Sequence, residues 1–234
     1  MEYSKTLQQG VLIKRYKRFL ADIALPNGEV ITIYCPNTGA MRSCSTPGAK
    51  VWFSDSESIT RKYRYTWELY QGVDGNFVGV NTNVANELVE EALMNHAIVE
   101  LNGYLELHRE ITLPGARSRI DFMLESDEGK TYIEVKSVTY LEEGIGYFPD
   151  AVTKRGQRHI EELIGLKQQG HRAVLFFCVM HTGIHVVKPA FHIDPKYALL
   201  CQKAQKAGVE FIAYTSAMNE NETKPVSPIE VRIE

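Results

Sequence analysis

The stretch RIDFMLESDEGKTYIEVKS, residues 119–137, decides how this chain folds. It predicts two apolar strands joined by a turn at DEGK, because strand-forming residues flank a short run of turn formers. Glu134 and Lys136 are two residues apart, so their side chains leave the same face of the second strand. Asp121 lies on the first strand, which the hairpin brings alongside. We expect Asp121, Glu134 and Lys136 to converge at an edge or fork of the sheet.

Two carboxylates and one ammonium at one point suit a divalent cation that binds a phosphodiester. Mg²⁺ takes oxygen ligands and is usually held by one or two carboxylates together with substrate phosphates. We therefore predict a site for Mg²⁺ or Mn²⁺ at Asp121 and Glu134, with the Val135 carbonyl as a further ligand. Lys136 would orient or deprotonate the attacking water, or stabilise charge on the phosphate. The alternative is a salt-bridge ladder that stabilises adjacent strands modestly.

The sequence around this hairpin predicts an α/β domain over residues 81–234. A helix over residues 84–93 has one apolar face, with Asn83 or Asn86 as its N-terminal cap. Three strands follow: one within residues 97–113 and the two strands of the hairpin. A second helix is predicted over residues 150–170, ending at Gly170. A buried strand, another helix and a last strand at 209–217 complete the order α-β-β-β-α-β-α-β. This order predicts a mixed sheet flanked by helices, with 218–228 as a polar excursion.

The N-terminal part, residues 1–80, predicts a small closed β-barrel of the OB type. Residues 11–25 and 30–35 are expected to form a hairpin, and 50–56 and 61–73 two further strands. A long loop containing glycine and proline, CPNTGAMRSCSTPGAK, lies between them. Four or five short strands without a helix are typical of that barrel.

The basic residues in the range 1–80 predict a nucleic-acid partner. The chain has a net charge of -3, but residues 1–80 carry ten Lys and Arg against seven Asp and Glu. OB barrels bind single strands through a positive groove and aromatic stacking platforms. The predicted contacts here are Lys14, Arg15, Lys17, Arg18, Arg42, Arg61, Lys62 and Arg64. The candidate platforms are Tyr16, Phe19, Trp52, Tyr63, Tyr65 and Trp67, although strand aromatics more often belong to the core.

A second group of predicted nucleic-acid contacts lies near the hairpin and at the start of the second helix. Its members are Arg119, Lys154, Arg155, Arg158 and His159. Backbone N–H groups at a helix N-terminus favour anions, which supports phosphate contacts there. Two alternatives remain: a solvated face with an Arg158–Glu162 pair, or a role for His159 and Glu162 behind the metal ligands.

Several classes of site are excluded or disfavoured by the sequence. The four cysteines show no C-x-x-C spacing, which indicates reduced thiols rather than a disulfide frame or zinc site. His181 and His185 lie in a strand and turn pattern, so we expect them to be structural. No apolar run reaches 18 residues and no signal peptide is evident, so we expect a cytoplasmic protein without a membrane partner.

The spacing of Asp121, Glu134 and Lys136 within the order α-β-β-β-α-β resembles the PD-(D/E)xK nuclease superfamily. In that superfamily the helix before the sheet often contributes another acid. On a helical wheel of residues 84–94, Glu91 lies closest to the apolar stripe, Glu87 next and Glu90 farther round. The resemblance therefore predicts Glu91 as a third metal ligand.

A more specific resemblance covers almost the whole chain. Five segments, CPNTGAM, VNTNVANELVEEAL, SRIDFML, YIEVKSVT and FPDAVTKRGQRHIEEL, occur in that order in the sugar fermentation stimulation protein (SfsA) family. The match indicates an enterobacterial member. It implies an OB-like domain joined to a nuclease-like domain near Asn81. It also implies a DNA-binding protein, largely without sequence preference, that regulates genes for maltose and other sugars. The alternative function is an active Mg²⁺-dependent nuclease on DNA or RNA.

Overall fold

The computed structural model describes residues 2–3, 6–113 and 119–234. Its N-terminal strands are β1 (Gln8–Tyr16), β2 (Leu20–Ala24), β3 (Val30–Tyr34), β4 (Lys50–Asp55), β5 (Tyr65–Gln71) and β6 (Phe77–Gly79). They lie in the order β3-β2-β1-β4-β5-β6. Tyr34 on β3 also pairs with Thr66 on β5, which closes β1 to β5 into a barrel. This architecture confirms the predicted OB barrel.

Two strand predictions in the barrel are wrong in detail. The stretch 11–25 is not one strand, because the chain turns at 17–19 and Tyr16 pairs back with Leu20. Lys17 and Arg18 hold positive φ angles of 47° and 63° in that turn. The alternating pattern of side chains runs straight through the turn, so the sequence conceals it. Residues 61–64 likewise precede β5 instead of belonging to it.

The C-terminal domain is a mixed sheet with helices on both faces. Its helices are α1 (Asn83–Met94), α2 (Lys154–Gln168) and α3 (Pro195–Lys206). Its main strands are β7 (Glu106–Thr112), β8 (Arg119–Ser126), β9 (Gly129–Val138), β12 (Arg172–Val179), β14 (Glu210–Met218) and β15 (Thr223–Pro228). The order is β15-β14-β12-β9-β8-β7, with β9, β12 and β14 parallel and the outer pairs antiparallel. The predicted order of elements is confirmed.

The central strand β12 shows why the sheet carries a helix layer on each face. Its side chains are buried nearly throughout, as its continuous apolar sequence predicts. Val174 and Phe176 belong to the core beside α1, whereas Leu175 and Phe177 belong to the core beside α2 and α3. Period-two alternation thus divides one apolar run between two cores.

The starts of α2 and α3 are tied to each other. Thr153 accepts a hydrogen bond from the Gly156 N–H at 3.0 Å and caps α2. Asp194 caps α3 by accepting from the Tyr197 N–H at 3.0 Å, and it also accepts from the Thr153 N–H at 2.9 Å and from the Gln157 amide. This network fixes the first turn of α2, which carries residues of the candidate site.

The cap predicted for α1 is wrong. The residue that precedes the helix is Thr82, not Asn83 or Asn86, and its side chain makes no capping bond. Instead the Asn81 side chain accepts from the Asn83 N–H at 3.2 Å. The side chain of Asn86 is used elsewhere, in the candidate site described below.

A small second sheet was not predicted. It contains β10 (Tyr140–Glu142), β11 (Ile145–Phe148), β13 (Val186–Pro189) and β16 (Glu230–Val231). Strands this short leave no periodic signal in the sequence. Two further predictions are corrected: 97–105 contains a 3₁₀ turn at Val99–Leu101 rather than a strand, and the supposed polar excursion contains β15.

The barrel and the C-terminal domain share a core and main-chain hydrogen bonds. Trp52 and Leu69 of the barrel pack in one buried cluster with Leu88 of α1. The Gly79 N–H donates to the Met180 carbonyl at 2.9 Å, which links β6 to the end of β12. These contacts hold the two parts in a fixed relation. The exact boundary near Asn81 stays a prediction.

The loop at residues 36–41 is a second connection between the domains. The Arg15 guanidinium donates to the carbonyls of Asn37 at 2.8 Å and Gly39 at 3.1 Å. From the C-terminal domain, the Asp150 carboxylate accepts from the Met41 N–H at 2.8 Å. A Cβ on Gly39 would lie 2.5 Å from that carboxylate, so any larger residue would displace Asp150 from this position. The PNTG segment therefore has a structural role at the domain contact.

All four cysteines are free and buried, and burial raises the pKa of Cys178 to about 12. Within the described ranges, none of the helices has the length and apolar character to cross a membrane.

Replacing Asp150 with alanine should destabilise the fold. Its carboxylate accepts a hydrogen bond from the Met41 N–H across the domain contact, and bonds to charged groups contribute about 1.5–3 kcal/mol. We expect the free energy of unfolding in urea to fall by that amount. Glu128→Ala, which removes an exposed carboxylate from a turn, should change it by less than about 0.5 kcal/mol. Equal effects of the two changes would contradict the assigned contact.

Candidate metal centre and nucleic-acid cleft

The strands β8 and β9 separate at Asp121. Their antiparallel pairing runs from Ser126–Gly129 to Phe122–Ile133 and stops there. The Asp121 carboxylate then accepts a hydrogen bond from the Val135 N–H at 2.8 Å, in place of a main-chain partner. Beyond this point β9 continues beside β12, where Glu134 is opposite Leu175. The geometry thus has the fork that the sequence led us to expect.

Glu134 is almost completely buried, and its two carboxylate oxygens have different surroundings. The Lys136 ammonium and the His159 Nδ1 both contact Oε1. Oε2 is buried and has no hydrogen-bond partner among the described residues. A buried charged oxygen without a partner is costly, so this atom indicates a missing ligand.

His159 is held in one tautomer by its neighbour on α2. The Arg155 Nε–H donates to His159 Nε2 at 3.2 Å, so Nε2 carries the lone pair. The proton is therefore on Nδ1, which donates to Glu134. Arg155 and His159 are four residues apart on α2, which places them on one helical face. Together they fix the orientation of the Glu134 carboxylate.

The two carboxylates of the fork have pKa values shifted in opposite directions. Burial raises the pKa of Asp121, and the nearby charge of Glu134 raises it further, against the effects of Lys136 and the Val135 N–H. Burial also acts to raise the pKa of Glu134, but Lys136 and His159 outweigh it, so that pKa lies below its ordinary value. A divalent cation would compensate the charge that disfavours ionised Asp121.

The donor set fits a hard divalent cation. Asp121 and Glu134 supply the carboxylate oxygens that Mg²⁺ prefers, and one buried Glu134 oxygen has no partner among the residues that the structure describes. Across residues 2–3, 6–113 and 119–234, three or more His, Cys, Asp or Glu side chains do not group as a metal site. The remaining ligands would be main-chain carbonyls, water and substrate phosphate, as is usual for Mg²⁺.

The helix side chain with a described bond to the fork is Asn86. The Asn86 amide donates to Asp121 Oδ1 at 2.9 Å. Glu90, one turn later, pairs with Arg109 of β7 at 2.6 Å. The helical wheel favoured Glu91 because it adjoins the apolar stripe of α1, which packs on the sheet and the barrel; its role as a metal ligand stays a prediction. We considered Asn86 only as a cap, so its role was missed.

Predicted contacts from distant parts of the sequence meet at a cleft beside Lys136. The cleft has a volume of about 510 Å³. Arg18 from the barrel, Lys154 and Arg155 from α2, and Asn86 line it together with Lys136. The loop of residues 37–39 forms part of the same wall. Positive groups of both domains therefore line a cleft that adjoins Lys136 and Asn86 of the fork.

Other predicted contacts have protein partners. Arg64 binds the Asp55 carboxylate through two bonds of 2.6 Å, and the Arg42 Nε–H donates to the Asp150 carbonyl at 3.2 Å. Two more of the predicted contacts form ion pairs, Lys14 with Asp22 and Arg119 with Glu110. Two others lie over aromatic rings, Arg61 over Tyr34 and Lys62 over Tyr63. Lys17 and Arg158 are exposed. The nucleic-acid role of these residues stays a prediction.

Burial corrects three of the predicted contacts. His159 is 1% exposed, so it cannot reach a phosphate, and its place behind Glu134 fits the alternative interpretation. Trp52 and Trp67 are 7% and 0% exposed and belong to the core, so they cannot serve as stacking platforms. Phe19 remains partly exposed and stacks on Tyr34 with centroids 6.4 Å apart. His181 is buried and accepts from the Gly183 N–H, consistent with a structural role.

Comparison with known proteins gives matches to both domains. Residues 13–80 match the family model described as the SfsA N-terminal OB domain, and residues 83–222 match the sugar fermentation stimulation protein RE domain. The sugar fermentation stimulation protein homolog of Shewanella halifaxensis is 53% identical over 234 residues, with all of both chains covered. The homolog of Pseudoalteromonas atlantica is 54% identical over 221 residues, 94% of each chain.

A solved structure extends the likeness to three dimensions. Pyrococcus furiosus SfsA, determined in complex with Ca²⁺, superposes with a TM-score of 0.89 at 27% identity, covering 99% of this chain and 98% of that one. The family models and the relatives agree over both domains. The chain belongs to the sugar fermentation stimulation protein family.

Proposed function

We propose that this protein binds nucleic acid and hydrolyses phosphodiester bonds with Mg²⁺ or Mn²⁺ at the fork between β8 and β9. The observation that carries the proposal is the buried Glu134 Oε2, which lacks a hydrogen-bond partner among the described residues and shares the fork with Asp121. A sheet-stabilising ladder would pair its carboxylates with cations on the surface, and would not bury one oxygen unpaired. The Ca²⁺ complex of the Pyrococcus furiosus relative supports a divalent-cation site.

The residues of the fork have separable roles in this proposal. Asp121 and Glu134 would hold the cation, which supplies charge stabilisation on the phosphate and an acidified water when bound. Asn86 orients Asp121 through Oδ1, and His159 orients Glu134 through Oε1. Lys136, which lines the cleft, would position the attacking water or stabilise the developing phosphate charge.

The cleft supports the nucleic-acid part of the proposal. Arg18, Lys154 and Arg155 place positive charge on both sides of Lys136, where a phosphate backbone would run. Such contacts bind phosphates without reading base sequence. α1 is packed between the barrel and the sheet, so it is not available to enter a major groove. This favours binding largely without sequence preference.

The second candidate function is regulation of maltose and other sugar genes by DNA binding without cleavage. It is favoured by the exposed basic turn of Lys17 and Arg18 and by the cationic walls of the cleft, which need no metal to bind DNA. In that case Asp121 and Glu134 would at most hold a cation. A cytoplasmic location is part of both proposals.

The first prediction concerns catalysis. With labelled single-stranded, duplex and branched DNA or RNA in Mg²⁺ or Mn²⁺, we expect cleavage by the wild-type protein. Asp121→Ala and Lys136→Ala should each lower the rate by at least about 10²-fold while nucleic-acid binding persists, because they remove groups that act on the transition state. Lys130→Ala is the matched control, since Lys130 lies at the other end of β9. Binding without cleavage on every substrate would leave only the regulatory function.

The second prediction concerns metal binding and needs no activity. Saturation with Mn²⁺ should raise the unfolding temperature, because a ligand at 100 times its Kd adds about 2.7 kcal/mol to stability. Asp121→Asn and Glu134→Gln should each abolish most of the increase. Glu125→Gln, a change on β8 that leaves the fork intact, should retain it. An undiminished increase in the fork variants would place the cation elsewhere.

The third prediction concerns the phosphate contacts. Binding should weaken steeply as salt rises, because each neutralised phosphate releases counterions. Arg18→Ala and Lys154→Ala should each reduce the slope of log affinity against log salt by about 0.7 for single strands. Arg64→Ala should change the slope less, since Arg64 is already paired with Asp55. A slope that is independent of Arg18 and Lys154 would rule out the cleft as the binding path.

A further inference from the structure

Three aromatic rings form a cluster at the small second sheet. Tyr140 on β10 and Tyr147 on β11 are cross-strand partners, so their side chains share one face of the sheet. Their ring centroids are 6.1 Å apart, and the His192 ring lies 5.0 Å from Tyr147 and 6.3 Å from Tyr140. All three residues are partly or largely exposed. The cluster is therefore a ring surface that solvent or a ligand can reach.

The cluster borders the cleft of the proposed metal centre. Tyr140 and Tyr147 line the same cleft as Lys136 and Arg18. Ser137 also lines it, and its buried hydroxyl has no hydrogen-bond partner within the described part of the chain. An aromatic surface and a cationic wall are the groups that a nucleotide requires for its base and its phosphate.

The rings are held in position by Glu142. Its carboxylate accepts from the Tyr140 hydroxyl at 3.2 Å and lies 3.6 Å from His192 Nε2. A carboxylate at this place disfavours a phosphate next to Tyr140 and His192, whereas Arg18 and Lys154, which line the cleft, attract phosphates. A base stacked on the rings with its phosphate beside those cations fits both features.

We propose that Tyr140 and Tyr147 are a stacking platform for unpaired bases, so that the substrate is a single strand or a duplex with an unpaired stretch beside the scissile phosphate. This deepens the proposed function and rests on it for the position of that phosphate. Aromatic rings stack with any base, which suits binding without sequence preference. The cleft volume of about 510 Å³ is in the range of sites that enclose one small ligand, such as a single flipped-out nucleotide.

The spacing along the chain fixes the distance from the platform to the reacting centre. Tyr140 follows Lys136 by four residues of nearly continuous strand, a span of about 13 Å at most. A stacked strand advances about 3.4 Å per nucleotide, so the platform is reached within about four nucleotides of the phosphate at Lys136. The unpaired stretch needs to be only a few nucleotides long.

The test measures binding in EDTA, where cleavage does not contribute. The fluorescence anisotropy of a labelled single strand and of a blunt duplex gives the two affinities. Tyr147→Ala and Tyr140→Ala should each weaken single-strand binding by roughly tenfold to a hundredfold, as loss of a stacked base does. Duplex binding should change by less than about twofold, and Tyr147→Phe, which keeps the ring, should bind like the wild type.

An abasic position in the strand provides a second, independent measurement. Scanned along the oligonucleotide, it should weaken binding to the wild type at one or two positions. The same substitution should cost nothing further in Tyr147→Ala, because the two changes remove one contact. This coupling also separates stacking from misfolding, since a misfolded variant would lose affinity for every oligonucleotide.

The outcomes separate this inference from the proposed nuclease. Equal losses on single strand and duplex, unchanged binding in the alanine variants, or independent effects of Tyr147→Ala and the abasic position would each overturn the platform. Cleavage in Mg²⁺ together with any of these results would leave the nuclease and remove only the platform. A coupled loss in EDTA without cleavage in Mg²⁺ would establish the platform in a protein that only binds nucleic acid.

Discussion

One hydrogen bond shapes the rest of the candidate site: the Val135 N–H donates to the Asp121 carboxylate at 2.8 Å. It replaces the next main-chain bond of the β8–β9 pair, so the strands part while the donor stays satisfied. Where the strands part, Glu134 is buried and Asp121 is half-buried. Burial raises the pKa of Asp121, and one oxygen of Glu134 has no hydrogen-bond partner in the described part of the chain. The raised pKa of Asp121 and the Glu134 oxygen without a described partner both occur where the Val135 N–H bonds a side chain instead of the neighbouring strand. A bound cation would offset both.

Each layer of the domain supports one side of this fork. α1 contributes Asn86 to Asp121, and α2 contributes His159 to Glu134, with Arg155 setting the imidazole tautomer. The position of α2 depends in turn on Asp194, which accepts from the Thr153 N–H at the start of that helix. Carboxylates held in this way have one defined orientation before any ligand binds. Preorganised charge of this kind is what phosphoryl chemistry requires, since it needs no rearrangement during the reaction.

The sequence predicted the parts of the molecule that have a periodic or local signal. The D-x₁₂-E-x-K spacing, the amphipathic α1 and the wholly apolar β12 identified the fork and the element order, and the short strands of residues 1–80 indicated the barrel. The turn at Lys17 and Arg18 was missed because alternation continued through it. Asn86 was missed as a partner of Asp121 because a helical wheel shows which side of a helix faces the core, but not which flank faces a neighbouring strand. The small sheet with Tyr140 and Tyr147 was missed because it depends on tertiary pairing. Its strands of two to four residues are too short to show a periodic pattern in the sequence.

The contact between the domains makes the barrel part of the candidate cleft. The loop of residues 37–39 and Arg18 come from the barrel, while Lys136 and Tyr147 come from the C-terminal domain, and all of them line one cleft. Arg15 and Asp150 hold that loop from both sides, and Gly39 leaves room for the Asp150 carboxylate. Arg15, predicted as a phosphate contact, thus has a structural role in the cleft wall. A barrel that only tethered a ligand could be attached flexibly. A barrel that forms one wall of the cleft must be held in a fixed position, and these contacts hold it.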